Sequence, residues 1–269
     1  MARVYRSQQQ LRRLLVDYGV QVLLDEGMGE PLTLPRVFAR IEAAHLPRVT
    51  KGSVIGANRL WASQSEYRID VELEAINRWA EGSMVDSVTA NTTREILDAA
   101  DLTTFEGRQI AWLELLRRVS DATMESNRAH PLWSVVVAIW GRVVSSPATP
   151  EGQRLGEALE RGRARAHSIG VEVVFRPVGP IIGMRGRDGL WSADEGYRMA
   201  AFATTALGKG MVLDQRFGEP EEPLMLPTGP QGALLPWSTY AVAARGVIEQ
   251  FLELDPEWRF PGGSAKAPD

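Results

Sequence analysis

The chain has 269 residues, enough for a small domain and a larger one with separate cores, and it contains no cysteine, which excludes disulfides, zinc-thiolate sites and thiol nucleophiles together. Its net charge of −4 is unevenly spread: residues 1–69 hold ten Lys/Arg against six carboxylates, so the head carries +4 and the remainder −8, as expected when only the head touches phosphate. The longest apolar run, Leu132 to Val144, is too short to cross a bilayer, and the N-terminus MARVYRSQQQ has no apolar secretory core, so a cytoplasmic protein is expected.

The first helix is predicted from Ser7, whose Ser-x-x-Gln spacing to Gln10 suits a capping box. Leu11, Leu14, Leu15, Tyr18, Val22 and Leu23 give it a core stripe, and Gly27 and Gly29 end it. Val37, Phe38 and Ile41 form the apolar face of a second helix that Pro47 stops. Thr50 can cap a short third helix opening Lys51-Gly52-Ser53-Val54-Ile55. A short helix opening with a cation and a hydroxyl suits a major groove, and its N-terminal amides favour phosphate. Ser63-Gln64-Ser65-Glu66 has capping-box spacing, so a further helix is expected to run through Glu74 towards Trp79.

These residues resemble the DNA-binding head of the TetR family of one-component transcriptional repressors. Thr33 matches the threonine before that family's second helix, and Val49-Thr50-Lys51-Gly52-Ser53-Val54 matches the recognition stretch. Trp61 matches the aromatic that follows, and Ser63 to Glu66 matches the next helix start. The chain departs from the family pattern by extra residues between Val37 and Val49 and between Ile55 and Trp61, and by Ile55 where a phosphate-binding tyrosine usually stands. The resemblance implies an all-α protein: a three-helix helix-turn-helix domain with linker helix over 1–79, a helical effector-binding and dimerisation domain over 80–260, and a disordered tail at 261–269. It places operator contacts among Thr33, Arg48, Thr50, Lys51, Gly52, Ser53, Trp61 and Ser63. Asn58 and Arg59 are candidates for base reading, phosphate clamping or loop structure, and Arg3 and Arg6 for a minor-groove arm.

The remainder reads as helical. Thr103-Thr104-Phe105-Glu106 is another capping-box spacing, followed by Trp112, Leu115, Leu116 and Val119 at helical intervals. A central buried helix is expected near 132–144 and a charged helix near 151–168, where Arg154, Arg161, Arg163 and Arg165 read as a solvated face. Val171 to Ile182 is β-branched but lacks an evident strand partner, so a helix end and loop are expected. After a turn at Gly183 to Gly189, Ser192-Ala193-Asp194-Glu195 caps a long helix bearing Tyr197, Phe202, Ala203, Ala206, Leu207 and Gly210. A Pro/Gly-rich loop from Gly218 to Pro236 leads to a last helix, Trp237 to Leu254. Arg187 to Glu195 is similar to the start of the penultimate long helix of TetR-family bodies.

Trp112, Trp133, Trp140, Phe175, Trp191 and Phe202 are candidates to line an effector pocket, with core burial the alternative for each. Three tryptophans over 112–144 favour a largely apolar effector of open identity. Small residues at Ala203, Ala206 and Gly210, and at Ala241, Ala244 and Gly246, suit a homodimer through 192–214 and 237–254. Gly52-Ser53-Val54-Ile55-Gly56 is not a nucleophile elbow, and Gly179 to Gly189 has neither dinucleotide nor P-loop spacing, so no enzyme is expected. His45, His130 and His167 are too scattered to suggest a metal site, and no cofactor is expected. The expected function is a ligand-responsive repressor; the alternative is a helical ligand-binding or interaction protein without operator binding.

Overall fold

The computed structural model describes residues 7–44, 51–82, 87–215 and 222–260. Expectations for Arg3, Arg6, His45, Pro47, Arg48, Val49, Thr50 and the 261–269 tail lie outside the described residues. Helices dominate, with a few short strands. The chain forms two compact units that are not consecutive segments: residues 1–82 with 130–163, and residues 83–129 with 164–269. Nothing in the local sequence announces that 130–163 belongs with the first segment, and the boundary expected near residue 79 had no such return.

In the first unit, α1 (Gln8–Glu26) starts where Ser7 Oγ accepts the Gln10 amide at 3.2 Å and ends at Gly27, whose φ of 70° suits a residue without Cβ. Its partner is α4 (Gln64–Gly82). They meet at Gly19, where a Cβ would lie 2.6 Å from Val71 Cγ2 and 2.7 Å from the Tyr67 hydroxyl, so the close approach requires glycine. Between them come α2 (Leu34–Ala43), which buries Val37 and Ile41, and α3 (Lys51–Val54), which buries Val54. On α7 (Trp133–Ser145), Trp133 rests against Trp79 of α4 with ring centroids 6.0 Å apart. Val135, Val136 and Ile139 are buried, but Trp140 and Val144 are exposed, so this helix is amphipathic rather than the central buried one its run of apolar residues suggests. α8 (Pro150–Ile169) begins in this unit, burying Leu155 and Ala158.

In the second unit, α5 (Ser87–Ala99) precedes α6 (Phe105–Ala129), whose stripe of Ala111, Trp112, Leu115 and Leu116 is the centre of the core. Ala200 and Ala201 of α10 (Ala193–Gln215) and Ala241 and Ile248 of α11 (Thr239–Ile248) join that core. Residues 170–182 are helical throughout, as a π-helix over Gly170–Phe175 and then α9 (Arg176–Ile182), where a helix end followed by a loop was expected. Pro177 has no amide to give to the Val173 carbonyl, and the register widens just before it, with the Arg176 amide donating to Val171 O. β1 (Met184–Gly186) pairs antiparallel with β4 (Leu252–Leu254), and β2 (Leu224–Pro227) with β3 (Leu234–Trp237). The last helix is therefore shorter than expected: it ends at Ile248, and Leu252 to Leu254 leave it to pair with a strand far back in sequence.

Candidate nucleic-acid interface

α3 has only four residues, and its place is fixed by the segment that follows it. Ile55 forms a parallel bridge to Trp61, with the Gly56 amide donating to Trp61 O at 2.9 Å and the Trp61 amide to Val54 O at 3.1 Å. The chain closes this loop through left-handed residues, Gly56 at φ 133° and Asn58 at φ 61°, and Asn is one of the few side-chain-bearing residues that adopt that region readily. Ala57, Asn58 and Arg59 at its tip are exposed.

Trp61 is the anchor. Its indole is buried, stacks edge-on with Tyr67 at 4.8 Å, and donates its N–H to Asp70 Oδ2 at 2.7 Å. Asp70 also accepts Arg12 Nε at 3.1 Å and lies 3.6 Å from Arg154 Nη2, and the Arg12 guanidinium sits 5.6 Å from the Trp61 ring centre. Tyr67 donates to Leu15 O at 2.8 Å, and burial pushes its phenol well above the usual range. Ser63 Oγ accepts the Glu66 amide at 3.1 Å while Glu66 accepts the Ala62 amide at 2.8 Å, which fixes the start of α4. Thr33 occupies the N-cap position of α2 without a capping hydrogen bond; Gln64 serves that helix start, accepting the Leu34 amide at 3.4 Å.

Trp61 and Ser63 are thus structural supports, whereas Gly52, Asn58 and Arg59 are exposed. Lys51 and Ser53 lie on α3, but their side chains, like Arg48 and Thr50 entirely, fall outside the described residues. The basic excess of the head is partly consumed internally. Arg36 pairs with Glu26 and Glu30, Arg40 with Asp25 and Glu26, Arg12 with Asp70, and Arg68 with Glu72 and Glu151. Arg13 and Arg59 are exposed and make no ion pair among the described residues.

The six candidate ligand-binding aromatics do not converge. Trp133 and Trp140 belong to the first unit, one buried against Trp79 and the other 47% exposed. In the second unit Trp112 and Phe175 are core, Phe175 stacking on Tyr197 at 6.1 Å; Trp191 meets Phe251 edge-on at 6.0 Å, and Phe202 is 46% exposed beside His167. Core packing accounts for the buried members.

Two charged residues that the sequence reading passed over are central to the units. Glu72 on α4 is fully buried and accepts Arg142 of α7 through both oxygens, Nη1 at 2.8 Å. Arg108 on α6 is 2% exposed and donates to the carbonyls of Ile182 and Asp255 at 3.1 Å and Trp258 at 3.4 Å, with its guanidinium 4.9 Å from the Trp258 ring centre. Each stands in an apolar stripe, Glu72 among Ile69, Ala75, Ile76 and Trp79, and Arg108 before Ala111, Trp112 and Leu115; a charge on the buried stripe was the available signal. Among the described residues no cluster could hold a metal ion and no helix is long and apolar enough to cross a membrane. No protein-family model and no curated protein matches the chain.

Proposed function

We propose that the chain is a TetR-like DNA-binding transcriptional regulator, a repressor that a small, largely apolar effector releases, working as a cytoplasmic homodimer. The observation that carries this reading is the bracing of a four-residue helix and its following loop on the buried Trp61 and its hydrogen bond to the partly buried Asp70, which leaves Gly52, Asn58 and Arg59 exposed. A short, locked helix start, beside an arginine that makes no ion pair among the described residues, suits insertion against DNA, since a helix start held by the scaffold loses little freedom on binding. The extra residues after Ile55 supply that exposed tip. For dimerisation, α10 offers an exposed stripe of Met199, Phe202, Ala206 and Gly210 at helical spacing.

A mobility-shift experiment with the DNA upstream of the chain's own gene, followed by selection from genomic fragments at modest salt, tests the reading. A retained, enriched inverted repeat with half-sites about 34–36 Å apart is expected. The absence of any enriched sequence would overturn it. The alternative, a helical ligand-binding or interaction protein without operator binding, is favoured by one observation: Arg12, Arg36, Arg40 and Arg68 already neutralise carboxylates within the first unit.

A further inference from the structure

The second unit contains a cleft of about 490 Å³ between α5, the π-helix with α9, and the chain's last described residue, Phe260, within the size range of small-molecule sites. None of the six aromatic candidates lines it. Val173 and Ile181, 48% and 38% exposed, form one wall with Phe260, and Thr93, Arg94 and Asp98 line the opposite edge along α5. We propose that this cleft binds an amphipathic zwitterion, an apolar molecule whose anionic and cationic groups stand about one helical turn apart.

Three features carry the assignment. Arg94 and Asp98 are four residues apart on one helix, both exposed, and neither makes an ion pair among the described residues. In the same order, arginine first, Arg68 meets Glu72 and Arg245 meets Glu249, and where Arg13–Asp17 and Arg117–Asp121 stay open one member is taken by Arg78 or by Glu114, whereas at Arg94–Asp98 neither member is taken. A ligand carboxylate, sulfonate or phosphate on Arg94 and an ammonium on Asp98 would satisfy both without repelling either. The apolar wall is also built rather than incidental. Arg108 holds the backbone of the Phe260 segment through the Asp255 and Trp258 carbonyls, and Trp258 packs on Phe260 at 6.0 Å. Val173 comes from the π-helix, a rare geometry that recurs at functional sites and whose side chains are spaced differently from those of an α-helix.

The assignment rests on the effector half of the proposed function, but binding is read without DNA, so loss of the operator reading leaves it standing. Calorimetry on the full chain with 3-(decyldimethylammonio)propane-1-sulfonate, below its micelle concentration, is compared with 1-decanol and sodium decanoate. The zwitterion should bind saturably and about tenfold more tightly than either comparison ligand. Arg94→Gln should weaken zwitterion and decanoate, Asp98→Asn the zwitterion alone, and neither should change decanol. Ile181→Glu, checked for an unchanged circular dichroism spectrum, should weaken all three. Absence of saturable binding, equal affinities for zwitterion and decanol, or indifference to both Arg94→Gln and Asp98→Asn would overturn the proposal.

Discussion

Replacing Arg142 by Met removes one half of the ion pair that joins α4 to α7, and the two halves are not equivalent. The Glu72 side chain is 1% exposed, whereas Arg142 is 37% exposed, so only the arginine can recover water when its partner is lost. The Glu72 carboxylate also raises the Arg142 pKa, chiefly through their hydrogen bonds. In Arg142→Met the carboxylate keeps only Arg68, 3.8 Å away, and the expected cost is about 3 kcal/mol, the lower end of the range for breaking a buried pair. Glu72→Met leaves a guanidinium that can rehydrate, costing about 1–2 kcal/mol. The double variant replaces the pair with apolar volume and should lie within about 1 kcal/mol of the wild type, giving a coupling energy of roughly 3 kcal/mol or more. Urea denaturation followed by tryptophan fluorescence, to which Trp61, Trp79 and Trp133 of the first unit contribute, measures all three. Equal costs for the single variants, or a double variant no more stable than Arg142→Met, would refute the argument.

His130 is half-buried, accepts the Leu132 amide on Nδ1 at 3.2 Å, and burial holds its pKa below the ordinary 6.5. Because the unfolded chain then takes up the proton first, stability is full above pH 6.5 and is lost as pH falls through the folded-state pKa. His130→Gln should flatten that part of the urea-midpoint profile; an unchanged slope would contradict it. At Asn58, with φ 61°, Gly should be tolerated while Val lowers stability by about 1–2 kcal/mol, and thermal midpoints that rank Val level with Gly would count against the loop geometry. Phe202→Arg should give a folded monomer in sedimentation, whereas Ala244→Arg, at a site 1% exposed within the second unit, should lose helicity; a folded Ala244→Arg dimer would show that the α11 packing is wrong.

Local signals were legible and long-range ones were not. The caps at Ser7, at Ser63 with Glu66, and at Ser192 with Glu195 are realised because a capping hydrogen bond joins residues three apart and needs no tertiary partner. At α6 the expected reciprocal box does not form: Thr104 caps by accepting the Gly107 amide at 3.0 Å, while Thr103 turns to Asp101. The C-terminal end was misread because Phe251, Leu252 and Leu254 fit a helical stripe equally well, and what removes them from it is the turn at Phe251, whose carbonyl accepts the Arg187 amide, and the pairing of Leu252 to Leu254 with β1, some seventy residues earlier. In the head, the sequence located α3 and the Trp61 aromatic, but the role of Trp61 as a buried anchor depends on Asp70 and Arg12, which no local pattern links. The small residues chosen for dimerisation divide in the same way: Ala241 and Ala244 are spent on the core, while Ala206 and Gly210 stay exposed.

The salt dependence of DNA affinity, measured with the selected fragment for the wild type and Arg59→Ala, tests the central claim most directly. If the braced α3 and its loop meet the phosphate backbone, log affinity should fall steeply with log salt, by a slope near −0.9 for each phosphate contact. Arg59→Ala should make that slope shallower by about 0.9 for each subunit bound while weakening all sequences alike. A nearly flat wild-type slope, or a slope and affinity that Arg59→Ala leaves unchanged, would contradict the account.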